Sequence, residues 1–192
     1  QNHSAQTKRA NRLRVQRCIG DRKGQKVMTE PVRAILAIGG NLGKRRKTLR
    51  SALKALAVTP GIKKVICSPL VESAAVTEAG IDETKPPFLN GVVQIQTTLK
   101  PKELLEEIRR IESEHGRIRL ERWGSRTLDI DIIVYGDVLK VGKELTIPHP
   151  RAFERPFVMV PWAMLEPDAV LPGHGSVKEL ASTMQDQVSV LH

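Results

Sequence analysis

The sequence is poor in aromatic residues and cysteine, and it has no long apolar run. Its 192 residues include two Trp, one Tyr, three Phe and two Cys. Two cysteines without a CxxC spacing argue against a disulfide framework or a zinc site. They are typical of a reducing compartment, so we expect a cytoplasmic protein. The longest apolar stretches, AILAIGG and FVMVPWAML, fall short of the ~20 residues of a membrane helix. The sequence therefore predicts one domain with a full core.

The positive charge is concentrated at the start of the chain. Residues 1–27 hold eight Lys/Arg and one acid, whereas the remaining 165 residues hold 23 Lys/Arg and 20 acids. The first segment has few apolar residues and no periodicity, so we expect it to be disordered. Three interpretations remain open: a nucleic-acid arm, an Arg-rich targeting peptide, or an extension upstream of the true start. Met28 favours the third, and the domain is expected to span residues 28–192.

From Met28 onward, the apolar periodicity predicts the order β-α-β-β-α-β. Strands are predicted at RAILAIGG, IKKVICSPLVES, FLNGVVQIQTTL and LDIDII, with Pro69 marking the second as an edge or bulged strand. Helices are predicted at KTLRSALKALAVTPG and KPKELLEEIRRIESEHG. Their apolar faces are formed by Leu49, Leu53 and Leu56 and by Leu104, Leu105, Ile108 and Ile111. This order fits a ferredoxin-like α+β sandwich with two helices packed on one face of an antiparallel sheet. AAVTEAGIDETKPP is predicted as a loop, and the chain after PWAML as a short tail.

The fold order alone does not decide the function, because RNA-recognition modules and small-molecule enzymes share it. An RNA-recognition sheet stacks bases on aromatic residues of its central strands. The strands AILAIGG and NGVVQIQTTL contain no aromatic residue. The sequence therefore disfavours an RNA-binding module. A nucleotide-binding regulatory domain without catalysis remains the other alternative to an enzyme.

The stretch RWGSRTLDIDIIVYG carries the strongest chemical signal. Side chains alternate along a strand, so Asp129 and Asp131 share one face with Cα atoms about 7 Å apart. Two such carboxylates can hold a pair of divalent cations about 3.5–4 Å apart. An isolated DxD pattern favours a merely solvated face, but guanidinium groups suited to phosphate oxygens lie just upstream, at Arg117, Arg119, Arg122 and Arg126. The pattern therefore predicts a metal–polyphosphate site, and no GxxxxGK[ST] loop is present.

RWGSRTLDIDII resembles the signature of the 6-hydroxymethyl-7,8-dihydropterin pyrophosphokinases, enzymes of folate biosynthesis. AIGGNLG, PFLNGVV and IPHPRAFERPFVM resemble three further motifs of that family in the same order, and the resemblance covers residues 33–172. It implies the ferredoxin-like fold, two Mg²⁺ ions, and transfer of the terminal pyrophosphoryl unit of ATP to the pterin hydroxymethyl group with release of AMP. We expect a monomer whose partners are ATP and the pterin, without nucleic acid or membrane.

The resemblance also assigns roles to individual residues. Catalytic roles fall on Asp129, Asp131, Arg117 and Arg126, with Mg²⁺ held by the two aspartates. ATP contacts are implied for Arg117, Arg119, Trp123, Arg126, Ile132, His149 and Arg155. Pterin contacts are implied for Ser73, Val76, Phe88, Asn90 and Phe157. In this arrangement Asn90 pairs with the pyrimidine edge, the two phenylalanines sandwich the ring, and Glu112 plays a supporting part. The segment from Arg117 to Arg126 is expected to close over bound nucleotide as a lid.

Overall fold

The computed structural model describes residues 30–77, 80–82, 84–116 and 126–191. The strands are β1 Val32–Gly40, β2 Ile62–Cys67, β3 Leu70–Ser73, β4 Val76–Thr77, β5 Gly80–Ile81, β6 Phe88–Thr97, β7 Asp129–Tyr135, β8 Val170–Leu171, β9 Gly175–Ser176 and β10 Ser189–Leu191. The helices are α1 Arg45–Val58, α2 Pro101–Glu114, α3 Pro156–Leu165 and α4 Val177–Ser182, with 3-10 turns at Ala152–Glu154 and Gln185–Gln187. Within the described ranges, no helix combines the length and the apolar character needed to cross a bilayer.

The main sheet is antiparallel and has β6 and β1 at its centre. Its strand order is β10-β3-β6-β1-β7, and β2 also pairs with β6. Strands β2 and β3 both pair with β6 on the same side, and they are separated by a break at Ser68 and Pro69, between Cys67 opposite Val93 and Val71 opposite Asn90. The predicted interruption at Pro69 is confirmed. It arises because proline has no backbone N–H to continue the ladder.

One face of the sheet packs against α1 and α2, as predicted. The predicted helix faces lie in this first core, with Leu49, Leu56, Leu104, Ile108 and Ile111 buried and with Leu53 and Leu105 partly buried. On β7 the apolar residues of the alternating run, Leu128, Ile130 and Ile132, point into the same core. The alternation therefore places Asp129 and Asp131 on the opposite face.

The opposite face also carries helices, and here the sequence-based fold was incomplete. The apolar residues of α3 and α4 form a second core with Ile35, Val92 and Ile133 of the sheet, and Trp162 is fully buried in it. The predicted short tail is wrong, because it contains α4 and also β10, which pairs with β3. The predicted loop of residues 74–87 likewise contains the small β4–β5 hairpin.

The second helical layer leaves part of this face open. It covers the region of Ile35, Val92 and Ile133. Further along β7, the side chains of Asp129 and Asp131 remain 24% and 35% exposed. The opening beside the second core is where the predicted site residues meet.

Candidate active site

Three neighbouring strands bring an amide and a carboxylate into one row. Asn90 of β6 pairs with Gly39 of β1, and Gly39 pairs with Asp129 of β7. The next position of β1 on this face, Ala37, pairs with Asp131. Two strand spacings separate Asn90 from Asp129, about 10 Å between their Cα atoms. Because the residues between them are glycine and alanine, the row forms a trough with a low floor.

The floor of the trough requires glycine at one position. A Cβ atom on Gly39 would lie 2.2 Å from Oδ1 of Asn90. The missing side chain therefore makes room for the amide of Asn90.

The family resemblance implies that pterin binds at Asn90, so we expect a Gly39→Ala variant to weaken pterin binding about tenfold. The added methyl displaces the Asn90 amide, and one lost hydrogen bond to a ligand is worth roughly 1.4 kcal/mol. Calorimetric titration with the pterin measures the loss. The matched comparison is an Asn90→Ala background, in which Gly39→Ala should cost almost nothing because the displaced group is already gone. Full additivity of the two losses would show that Gly39 does not act through Asn90.

Asn90 is held in place by a second predicted residue. Its Nδ2 donates a hydrogen bond of 3.0 Å to Oγ of Ser73, and the two residues are only 6% and 9% exposed. The bond fixes the plane of the amide, so Ser73 supports Asn90 in this structure. Val76, another predicted pterin contact, lies in β4 opposite Ile81.

The two carboxylates each hold an arginine. Nη1 of Arg126 lies 2.6 Å from Oδ2 of Asp129, and Nη1 of Arg155 lies 2.9 Å from Oδ2 of Asp131. The structure therefore brings together both predicted metal-binding aspartates and two of the predicted phosphate-binding arginines. Charges of both signs alternate along the open edge of β7. Such a set suits a ligand that carries phosphate groups and cations together.

His149 lies beside the same carboxylates. Its backbone N–H donates to the carbonyl oxygen of Ile133 at 2.8 Å, and its Nε2 lies 3.9 Å from Oδ2 of Asp131. Burial lowers the pKa of His149, the positive charge of Arg155 acts in the same direction, and Asp131 opposes them. Burial and the charge of Arg155 thus favour the neutral imidazole over the imidazolium. Because Nδ1 accepts from the backbone N–H of Arg151 at 3.2 Å, the proton resides on Nε2, which is a hydrogen-bond donor.

Both predicted ring-stacking phenylalanines contact these arginines. The guanidinium of Arg126 lies 6.0 Å from the ring centroid of Phe88, and that of Arg155 lies 5.8 Å from the centroid of Phe157. These are cation–π distances. Both phenylalanines are only partly buried, although Phe157 also packs against the second core.

Asn41 is a site residue to which the sequence assigned no role. It is only 2% exposed. Its Oδ1 accepts a hydrogen bond from the backbone N–H of Arg126 at 2.8 Å, and its backbone N–H donates to the carbonyl oxygen of Arg126 at 2.9 Å. Its Nδ2 also donates to the carbonyl of Pro86 at 3.1 Å. Asn41 thus ties the end of β1 to the segments that carry Arg126 and Phe88. The sequence feature that could have indicated this role is the position of a polar residue directly after the Gly39-Gly40 pair.

The second glycine of that pair, Gly40, also stands where a side chain would not fit. A Cβ atom there would lie 2.3 Å from the backbone carbonyl oxygen of Thr127. The segment before β7 therefore approaches β1 more closely than any side chain permits.

Two other predicted residues lie below the site, in the first core or beside it. Ile132, a predicted ATP contact, has its side chain buried on the sheet face covered by α1 and α2. It therefore does not reach the carboxylates on the opposite face. Glu112 of α2 is buried, and its Oε1 accepts from the backbone N–H of Ile130 at 2.7 Å. This bond anchors the strand between the two aspartates, in agreement with a supporting part. Arg117, Arg119, Trp123 and the rest of the predicted lid up to residue 125 lie outside the described residues.

The donor set fits Mg²⁺ better than a metal held entirely by protein. In the part of the chain that the structure describes, no three His, Cys, Asp or Glu side chains converge as metal ligands. Mg²⁺ commonly takes one or two carboxylates and completes its octahedron with water and substrate phosphates. The partly exposed pair Asp129 and Asp131 meets that requirement.

The antiparallel sheet and its helices define a ferredoxin-like α+β protein. The family model of 7,8-dihydro-6-hydroxymethylpterin-pyrophosphokinase (HPPK) matches residues 35–167. The chain belongs to this family.

Individual relatives agree with the family match. A 2-amino-4-hydroxy-6-hydroxymethyldihydropteridine pyrophosphokinase of Synechocystis sp. is 43% identical over 142 residues, which cover 74% of this chain and 70% of the relative. The enzyme of that name from Haemophilus influenzae is 38% identical over 155 residues, covering 81% and 94%.

Solved structures share the fold. An HPPK-DHPS in complex with substrates superposes with a TM-score of 0.61 at 12% identity, over 82% of this chain and 44% of that one. A Plasmodium falciparum HPPK-DHPS with pteroate gives 0.61 at 15% identity, over 84% and 45%. This chain thus spans under half the length of those chains, and at these identities the likeness shows the fold alone.

Proposed function

We propose that this chain catalyses its family's reaction in the trough described above. The pyrophosphoryl unit of ATP passes to the hydroxymethyl group of 6-hydroxymethyl-7,8-dihydropterin in folate biosynthesis. The hydroxyl oxygen bonds to the β-phosphorus, the bond from that phosphorus to the α,β-bridging oxygen breaks, and AMP leaves with that oxygen while the hydroxyl loses its proton. The row from Asn90 through Gly39 to Asp129 carries the proposal. In this row Asn90, the proposed partner of the pterin, lies about 10 Å from Asp129, the proposed partner of the metal-bound phosphates, and the residue between them is a glycine.

The phosphate end of the site consists of Asp129, Asp131 and the cations around them. Asp129 and Asp131 would hold two Mg²⁺ ions, which when bound neutralise the charge of the phosphates. Arg126 and Arg155 lie within reach of the same phosphates, and the Nε2–H of His149 is placed to donate to a phosphate or ribose oxygen. Transfer of this kind requires mainly positioning and charge neutralisation from a protein. By the family resemblance, Arg117, Arg119 and Trp123 act on the nucleotide as well.

The pterin end consists of Asn90 and the two phenylalanines. An amide offers one donor and one acceptor side by side, which matches the pyrimidine edge of a pterin. Phe88 lies two residues before Asn90 on β6, and Phe157 stands at the start of α3. Each ring contacts an arginine of the phosphate end, so the two ends of the site are in direct side-chain contact.

The location and assembly of the protein remain part of the proposal. Cys67 is a free thiol, and burial raises its pKa to about 11, which leaves it protonated and unreactive. A free thiol is typical of proteins in a reducing compartment, and we therefore assign the chain to the cytoplasm. We assign it as a monomer.

An assay of AMP release from Mg·ATP, with and without the reduced hydroxymethylpterin, tests the reaction. We expect AMP only when the pterin is present, in equal amount to the pyrophosphorylated pterin. AMP release independent of the pterin, or nucleotide binding without any release, would contradict the proposal. The second outcome would favour a regulatory nucleotide-binding domain.

A further inference from the structure

One region of the chain holds only positive charge. No acidic residue stands between Glu30 and Glu72, a stretch that contains nine Lys and Arg residues. Helix α1 lies within it. Four of its cations are exposed to solvent and form what we call the α1 basic face: Arg46, Lys47, Arg50 and Lys54.

One cation of the neighbouring helix is paired within that helix. On α2, Arg110 donates to Glu107 at 2.9 Å and to Glu114 at 2.6 Å, so its charge is balanced within the helix. On α1 the described ion pair is that of Arg45 with Glu72, at 2.7 Å. Among the described residues, no acidic side chain forms an ion pair with any member of the α1 basic face.

The arrangement opposes the stability of α1. Arg46, Arg50 and Lys54 follow one another at intervals of four residues, which places them about 6 Å apart along one side of the helix. Like charges at this spacing repel one another. The first turn of α1 contains no acidic residue, although the helix dipole favours negative charge there. A row of cations that weakens its own helix points to an external anion.

We propose that the α1 basic face binds the phosphate backbone of nucleic acid without regard to base sequence. A row of cations on an exposed helix fits a row of phosphates. The α1 basic face contains no aromatic residue, so it offers no platform for stacking bases. Because α1 packs on the sheet face opposite Asn90 and Asp129, bound nucleic acid leaves the trough accessible. The proposal is therefore independent of the proposed reaction.

Salt-dependent binding to a short duplex, of DNA and of RNA, tests the proposal with the full chain. The variant Arg46→Gln/Lys47→Gln/Arg50→Gln removes three charges from the α1 basic face. The control Lys102→Gln/Arg109→Gln/Lys178→Gln removes three exposed charges from other helices. We expect the slope of log K against log salt to fall by about two to three in the first variant, with little change in the control. Both should release AMP at the wild-type rate, which reports that they fold.

Several outcomes would overturn the proposal. Equal losses in the two variants would mean that only net charge matters. An unchanged slope in the first variant would assign binding to another part of the chain. Tighter binding to phosphatidylserine vesicles than to either duplex would identify the face as a membrane-surface site instead.

Discussion

An Asp131→Asn variant is expected to fold normally and to release AMP roughly a thousandfold more slowly than the wild type. Asparagine keeps the size of the side chain but removes the charge that, in the proposed function, would hold a metal ion on the phosphates. The loss of several kcal/mol of transition-state stabilisation corresponds to about three powers of ten in rate. Single-turnover kinetics at saturating Mg²⁺, ATP and pterin measure the chemical step. Asp129→Asn is expected to behave in the same way.

The matched control is Asp137→Asn, which removes an exposed carboxylate just beyond the end of β7. It should retain the wild-type rate, because Asp137 lies outside the trough. If Asp131→Asn also retains a near-normal rate at saturating Mg²⁺, the assignment of Asp131 to the metal is wrong.

An Asn41→Ala variant is expected to lose both stability and activity. It removes the hydrogen bonds to the backbone N–H of Arg126 and to the carbonyl of Pro86, seen at 2.8 and 3.1 Å. Each lost hydrogen bond costs about 0.5–1.5 kcal/mol. Because Asn41 connects the segments of Arg126 and Phe88, the KM values for ATP and for pterin should both rise, by about tenfold or more. Urea unfolding and steady-state kinetics measure the two effects.

An Asn41→Asp variant separates the two connections. Its side-chain oxygen still accepts from Arg126, but it has no N–H to donate to Pro86. We expect the KM for pterin to rise while the KM for ATP stays close to the wild-type value. Equal increases in the two KM values would show that Asn41 acts through general stability rather than through positioning.

The parts of the structure that follow from local pattern were predictable from the sequence. The alternation at Leu128 to Ile132 separates a core face from a carboxylate face, and the structure has that separation. The helices α1 and α2 show a regular apolar period because each packs on one side only. In contrast, α3 is apolar around most of its circumference and contains Pro161, so it presents neither a period nor an uninterrupted helical pattern. Its burial depends on contacts with strands that are distant in the sequence, so a short stretch of sequence around α3 does not reveal it.

The connections within the site were also beyond local pattern. Asn41 meets Arg126 across 85 positions of the chain, and Pro86 across 45. An asparagine after two glycines resembles an ordinary turn until the fold brings the other two segments to it. The role of Gly39 likewise depends on the register that sets Asn90 beside it. The sequence pattern identifies such residues as turn formers, and only the pairing of strands shows what they accommodate.

The pairing of each aspartate with an arginine has a consequence for which nucleotide the site admits. In the structure, Arg126 is paired with Asp129 and Arg155 with Asp131. Nucleotide without a metal ion would draw the guanidinium groups to its phosphates and leave two carboxylates facing them, so repulsion would replace attraction. With a nucleotide that brings its own cations, Asp129 and Asp131 would hold the cations and Arg126 and Arg155 would be free to contact the phosphates. Under the proposed function, these pairings would therefore favour the metal complex of the nucleotide over the bare polyphosphate.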